Sequence, residues 1–500
     1  MPFSGPACFA RMSVCVIDLE RRPEESTLSQ WEAVIGLEIH VQLKTRRKMF
    51  CGCAVGALDD PNTRTCPVCL AHPGALPVAN KQAIEWTIKL GLALGCEISE
   101  RAIFHRKNYF YPDNPKGYQI SQYDEPLCVG GRVRLPGPDG VAEIGITRAH
   151  LEEDAAKTLH VGGAEGRIHG ATASLVDFNR GGSPLVEIVT EPDIRSAEQA
   201  RRFLQLLRQT VVELGISDAE MEKGSLRFDV NVSVRPEGSD ELRTRTELKN
   251  MNSFAFAAKG IGREIERQIA IYESEGQVEQ ETLHFDPNRE DAPPLRSKEE
   301  AQDYRYFPEP DLVPIEPLRE WSPDELRAEL PESPSARLER VLGAGIDLRD
   351  AEALNAEPAR VNLFETIRDA GVEPRPAAAF VLNDIARHEV DPSRVDGAEL
   401  AKVLLERDQI PREAFDAAVA ASASEGFVAD EYLRERTVAD TSELDPVIDR
   451  VLSENEQQVE AYRGGKEGLL GFFVGQVMRE MQGKANPKVV NERLREKLGG

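Results

Sequence analysis

From Leu37 to Leu43 apolar and polar residues alternate strictly: Leu37, Ile39, Val41 and Leu43 are separated by Glu38, His40 and Gln42. A period of two predicts a strand that buries one face and presents polar groups on the other. The pattern returns in SLRFDVNVSVRP (225–236), with Leu226, Phe228, Val230, Val232 and Val234 on one face. The opposite face carries Arg227, Asp229, Asn231, Ser233 and Arg235. RTRTELKN (243–250) sets Arg243, Arg245, Glu247 and Lys249 on one side, and SLVDFNR (174–180) places Asp177 with Asn179. Gly, Pro, Asn and Asp break the chain between such segments as far as Pro317, the mark of a mixed sheet with few helices.

Helical spacing occupies KQAIEWTIKLGLALG (81–95) and SAEQARRFLQLLRQTVVELG (196–215), the second closed by Gly215. After Leu318 the apolar positions recur at three and four, and PESPSARLERVLGAG opens one such helix on a Ser-Pro pair. In the tail, GLLGFFVGQVMREM reads as a buried helix stopped by Gly483, and Asn486-Pro487 cap the closing helix KVVNERLREKL. The expected class is α+β: a large mixed, mainly antiparallel sheet domain at 30–317, an all-α domain at 318–436 and a small helical tail at 437–500. Residues 1–29 lack a basic leader and a clean apolar run, and are expected to be a disordered extension with Met12 as an alternative start.

Composition narrows the function. With 86 acidic against 61 basic residues the formal charge is −25, which argues against non-specific nucleic-acid binding by the whole body. No apolar run approaches the length of a membrane helix. Eight cysteines in 500 residues are too few for a disulfide scaffold. A reducing compartment, the cytoplasm, is expected.

Four of those cysteines stand together. Cys51 and Cys53, then Cys66 and Cys69, have the spacing at which two turns close a tetrahedron around zinc. All four positions are protein ligands, so the ion would be structural and the knot set apart from any reaction; four buried apolar cysteines are the plainer alternative. The polar strand faces also have a plain reading, a solvated sheet surface. Their residue types shift the balance: Asp, Asn, Ser, His and Arg dominate where a solvated face carries Lys, Glu and Thr. Such groups suit Mg²⁺ with phosphate, since Mg²⁺ takes one or two carboxylates and fills its shell from the nucleotide. ITRAHLEEDAAKTLH adds His150, Glu152, Glu153, Asp154 and Lys157. There is no P-loop, because GGKEGLL lacks the required spacing.

FHRKNYFYPDNPKGYQISQYDEP (104–126) interleaves Arg106, Lys107 and Lys116 with Tyr109, Phe110, Tyr111 and Tyr118, either to stack bases or to pin a loop by its rings. From Arg463 onward there are eight Lys or Arg and four Glu. That excess makes the tail a candidate for binding phosphate, but on charge alone an exposed amphipathic helix of mixed charge is the favoured reading.

Taken in order, GLEIHVQL, CPVCLAHPGALPVAN, RKNYFYPDNPKGYQISQYDEP, GITRAHLEEDAAK, FNRGGSPLVEIVTEPD, SLRFDVNVSVRP, ELKNMNSF and RSKEEAQDYRYFPEPDL resemble the serial motifs of the B-subunit family of aspartyl/glutamyl-tRNA(Asn/Gln) amidotransferases, and FFVGQVMREMQGKANPKVV matches again in the tail. Leu283, Ala156 and Phe228 depart from the residues usual in those motifs. The resemblance implies a catalytic cradle domain and a three-subunit enzyme. A glutaminase A subunit would supply ammonia through a channel, and a small C subunit would brace the pair. The B subunit would use ATP to activate the side-chain carboxylate of mischarged Glu-tRNA(Gln) or Asp-tRNA(Asn). It further implies Glu38, His40 and Glu153 as Mg²⁺ ligands, with Glu152 beside them. Arg227, Asp229, Asn231, Arg245 and Lys249 would serve nucleotide phosphates or the activated carboxylate, and Lys484 and Lys488 in the tail would meet tRNA. Two other classes compete: a zinc-stabilised RNA-binding scaffold, and a free-standing carboxylate–amine ligase. Glu38, Asp177, Asp229 and Glu247 would repel RNA phosphates, and the basic tail suits a large substrate.

Overall fold

Alternation places the apolar side chains of the central strands on one face, and three helices cover that face. The computed structural model describes residues 30–56, 60–162, 170–249, 251, 253–284, 294–297, 303–434, 437 and 441–499; the expected N-terminal extension lies outside them. Contacts divide the chain into two units, Met1–Ser333 and Pro334–Gly500.

The first unit is built on strands β1 (Trp31–Gln42), β2 (Glu97–Ile98), β3 (His105–Asn108), β4 (Tyr118–Ser121), β5 (Cys128–Gly137), β6 (Gly140–Glu153), β7 (Lys157–Val161) and β8 (Ala173–Asp177). They are followed by β9 (Pro184–Thr190), β10 (Leu226–Pro236), β11 (Thr246–Lys249), β12 (Glu281–His284), β13 (Pro294–Ser297) and β14 (Phe307–Pro308). Among the described residues nine of them form one sheet, ordered β13–β12–β11–β10–β1–β9–β6–β5–β2. All its pairings are antiparallel except β11 with β12, so the sheet is mixed. Leu37, Ile39, Val41, Leu226, Val230, Val232, Val186 and Ile188 are buried in its core. Helices α1 (Lys81–Ala93), α2 (Ala197–Glu213) and α3 (Phe254–Glu273) supply the covering layer, α1 against β5 and β6 and α3 against β10.

Each of these helices begins on a side-chain cap: Asn80, Ser196 and Ser253 accept from backbone N–H groups of the first turn. Asn80 has a second task. Its Oδ1 accepts from Gln82 and Ala83, while its Nδ2 donates to the carbonyls of Arg47 (3.0 Å) and Lys48 (3.3 Å). Asn80→Ala is therefore expected to cost about 1–2 kcal/mol, the upper range for a lost cap, read as a lowered midpoint in urea unfolding.

The shift to helix comes before the boundary between units. Pro317–Glu320 and Pro323–Ala328 belong to the first unit, where the second of them packs on α1 and Lys89 pairs with Glu329 at 2.9 Å. Residues 318–333, expected to open the helical domain, thus lie with the sheet. The second unit is mainly helical over its described residues and contains no named strand among them. Its last helices close on Leu444, Ile448, Val451, Phe473, Val477, Val490 and Leu494. No helix among the described residues is long and apolar enough to cross a membrane.

Candidate functional site

The face of the sheet opposite the helices carries a row of polar side chains set by register. His150 on β6 stands opposite Glu187 on β9, Glu187 opposite His40 on β1, and His40 opposite Arg227 on β10. One step along, Glu38 stands opposite Asp229. Because directly opposed residues share a face, four strands put their acids and imidazoles in one place. His40 Nε2 lies 4.0 Å from Glu38, 3.4 Å from Glu152 and 3.6 Å from Glu187, and His150 Nε2 lies 3.4 Å from Glu187. One donor atom each from Glu38, His40 and Glu187 falls within 4.8 Å of the others, as do those of His150, Glu152 and Glu187.

Burial and charge set the protonation. Burial disfavours an imidazolium at His40, but its bond to Glu187 and the charges of Glu152, Glu187 and Glu38 outweigh that and raise it to about 9. Glu187 is held well below the ordinary carboxylate range: burial pushes it up, and His150 and His40 pull it down further. Glu38 is raised, chiefly by burial and then by Glu187. Lys107 on β3 stays charged against burial because Glu152 and Glu187 favour the cation.

Beside this row the face turns basic. Lys249 Nζ sits 2.7 Å from Asp229 and 2.8 Å from Glu247. Arg227 donates to Asp154 at 2.9 Å, yet its Nε is buried with no hydrogen-bond partner. An unpartnered buried guanidinium N–H is suited to an acceptor that arrives with a ligand. Asn231 stands opposite Gly36 and Glu247 on the same face. Arg245 differs from expectation: β11 begins at Thr246, and Arg245 lies before it in exposed chain.

Glu153 also requires correction as a companion of Glu38 and His40. Adjacent strand residues point to opposite faces, so Glu152 joins His40 while Glu153 turns away, pairing with Lys116 and accepting from Ile120 N–H at 2.9 Å. Glu187 takes its place in the acidic group. Sequence reasoning passed over Glu187, although a single acid inside the apolar run PLVEIVT is itself a signal, since a buried charge needs partners. The loop at 104–126 proves to be β3 and β4 joined by a turn. Arg106 there lies over the Tyr118 ring and pairs with Glu309, while Phe110 remains 83% exposed.

The four cysteines do converge. Cys51, Cys53, Cys66 and Cys69 place their Sγ atoms within 4.8 Å of one another, with Cys66 and Cys69 at 3.9 Å. Tetrahedral zinc thiolates, with Zn–S near 2.3 Å, stand about 3.8 Å apart. Cys69 is drawn down to about 4 by its bond with Cys51, against burial and with help from the Cys66 backbone and Lys48. A cavity of about 240 Å³ is lined by Cys51, Cys69 and Lys48 on one side and by Lys116, Tyr118 and Glu153 on another. The knot and Glu153 thus line one cavity.

In the second unit Lys484 and Lys488 are exposed at the start of the closing helix, Pro487–Leu498, which Asn486 caps.

Comparison with known proteins shows the family. Residues 33–322 match the family model described as the GatB/GatE catalytic domain, and residues 362–498 match the GatB domain. Sheet, polar face and helical second unit thus define an amidotransferase component of the GatB class. The chain is 47% identical over 487 residues to the B subunit of the aspartyl/glutamyl-tRNA(Asn/Gln) amidotransferase of Geotalea uraniireducens, spanning 94% of this chain and 100% of that one. It is 48% identical over 485 residues to the protein of that name from Geobacter sulfurreducens, again covering 94% and 100%. With that of Thermobifida fusca the identity is 46% over 507 residues, covering 95% and 96%. The chain belongs to the B-subunit family of aspartyl/glutamyl-tRNA(Asn/Gln) amidotransferases. Its role in tRNA amidation, as one component of a multi-subunit ligase, follows from that membership.

Proposed function

We propose that the polar sheet face activates the side-chain carboxylate of a mischarged Glu-tRNA(Gln) or Asp-tRNA(Asn) with ATP and presents it to ammonia. The observation that carries this reading is the row His150–Glu187–His40–Arg227, which runs from a buried acid–imidazole group to an unpartnered guanidinium N–H. The carboxylate oxygens of Glu38 and Glu187 are the donors Mg²⁺ prefers, and His40 would join them on giving up its proton to the arriving ion's charge. When bound there, the ion would neutralise charge on the phosphates and orient them.

The chain's own groups do the rest. Arg227 Nε offers a donor to a phosphate oxygen, and Lys249, kept cationic by Asp229 and Glu247 against burial, stands ready for the charge that develops on the transferred group. Asp229 and Asn231 order that side of the face, Glu152 and His150 hold His40 and Glu187, and Arg245, exposed at the rim, meets the incoming substrate. A substrate carboxylate oxygen attacks the terminal phosphorus of ATP and ADP leaves. Ammonia then attacks the acyl carbon, and phosphate departs with that oxygen. The cavity between Lys116 and the cysteine knot offers ammonia a sheltered approach.

The four thiolates would hold a structural Zn²⁺, whose geometry their spacing suits. Lys484 and Lys488 would meet backbone phosphates of the tRNA. The partners are a glutaminase A subunit and a small C subunit, and the setting is the cytoplasm, where mischarged tRNAs arise.

Isotope transfer tests the chemistry. A tRNA charged with glutamate labelled by ¹⁸O in its side chain should give one labelled oxygen in the phosphate released per amide formed. Unlabelled phosphate would overturn the activation step.

A further inference from the structure

Lys48 lies just before the first cysteine pair, and its side chain is among the largest fully buried ones, at 1% exposure. Among the described residues its Nζ has two partners. It donates to the carbonyl of Phe178 at 3.0 Å and to Cys69 Sγ at 3.7 Å. No carboxylate among the described residues comes within ion-pair range of it. A buried ammonium without a counter-ion is costly, so something with negative charge must answer it. The candidate it touches is the thiolate set. Four thiolates on one divalent cation carry a net charge of −2, and burial makes that excess as costly as the lone ammonium. The two defects cancel when they are adjacent.

The surroundings hold this contact in place. The backbone N–H of Met49 donates to the carbonyl of Gly182 at 2.7 Å, and that of Lys48 to Cys53 at 2.9 Å. Gly182 has φ +84°, and a Cβ there would stand 3.5 Å from Lys48 Cδ, 3.8 Å from Cys69 Cβ and 3.8 Å from Glu153 Oε2. One glycine therefore separates the lysine, the knot and the carboxylate on the far side of the cavity.

We infer that Lys48 is the outer-sphere cation of the four-cysteine metal knot, donating to Cys69 and offsetting the thiolates' excess charge from inside the protein. It acts as a positioning residue, through Cys69, and not on the reacting groups. The inference rests on the zinc reading above.

The test is zinc release to a colorimetric chelator from the full chain, comparing wild type with Lys48→Met and Lys48→Arg. Wild type and both variants should carry zinc. Release from the methionine variant should be at least about tenfold faster, the usual scale for a lost outer-sphere partner, and the arginine variant should largely restore the slow rate. In cobalt-loaded protein the thiolate charge-transfer band should move to lower energy in the methionine variant, because the sulfur loses a donor, and return in the arginine variant. A packing role would move neither the band nor the arginine rescue. If Lys48→Met does not fold, Lys48→Gln, shorter and uncharged, is held to the same tenfold criterion. Zinc in wild type with unchanged release from the uncharged variant overturns the inference alone. Wild type without zinc overturns the knot as well.

Discussion

Glu187→Gln is expected to reduce amide formation by at least about 10²-fold, the scale of losing one fixed electrostatic contact at a reacting centre. The assay is the initial rate on Glu-tRNA(Gln) with ATP, Mg²⁺ and excess ammonium chloride in place of glutamine, which isolates this chain's chemistry from ammonia supply. The substitution keeps volume and removes charge. Glu187 lies within 3.6 Å of His40 and 3.4 Å of His150 and belongs to both donor groups. Removing its charge replaces an anionic oxygen by a weaker neutral one and loosens one imidazole in each group, His40 in the first and His150 in the second. His40, raised to about 9 mainly by groups that include Glu187, should also fall back toward its ordinary range. The KM for tRNA should change little, because Lys484 and Lys488, proposed above to meet tRNA, are untouched. Amidation at the wild-type rate would remove Glu187 from the site.

That residue also marks how far the sequence could be read. Alternation in β1 and β10 was plain because one face of each is apolar and the other polar, so the phase of the strand is written in its residue types. The pairing of β1 with β10 then brings Glu38 to Asp229 and His40 to Arg227, as the shared polar face implied. β9 is different. Its burial on both sides leaves a nearly continuous apolar run, and period two disappears where both faces are dry. The pair Glu152-Glu153 posed a second problem, since adjacent acids at a strand end face opposite ways and only the register with β9 decides which joins His40. Arg245 fell outside the strand for a third reason: β11 leaves the ladder at Thr246 although its partner β10 runs on to Pro236, and residue alternation alone does not mark where pairing stops. The cysteine knot was legible because metal spacing is local, whereas its contact with Lys48 and its cavity with Glu153 depend on Gly182, well over a hundred residues along the chain.

Cys69→Ser is expected to abolish zinc binding and to lower the thermal midpoint of the first unit by about 6 °C, or about 3 kcal/mol at the ~2 °C per kcal/mol of a domain this size. A serine hydroxyl does not ionise near neutral pH and offers a harder, shorter ligand, so three thiolates remain where four close the shell. Cys69 is the member whose loss should be felt most. Its Sγ accepts from the backbone N–H of Cys66 at 3.2 Å, sits 3.9 Å from Cys66 Sγ and receives the Lys48 ammonium. The variant therefore leaves a buried lysine facing a neutral group. Elemental analysis reads the metal and differential scanning calorimetry the midpoint. Limited proteolysis should place the first new cut between Cys66 and Asn80, since the metal and the Asn80 bonds to Arg47 and Lys48 hold that segment down. Because Cys69 and Glu153 line one cavity, loosening this wall should also slow amidation. A Cys69→Ser protein that is equally stable and retains zinc would show that the four thiols do not form a metal site.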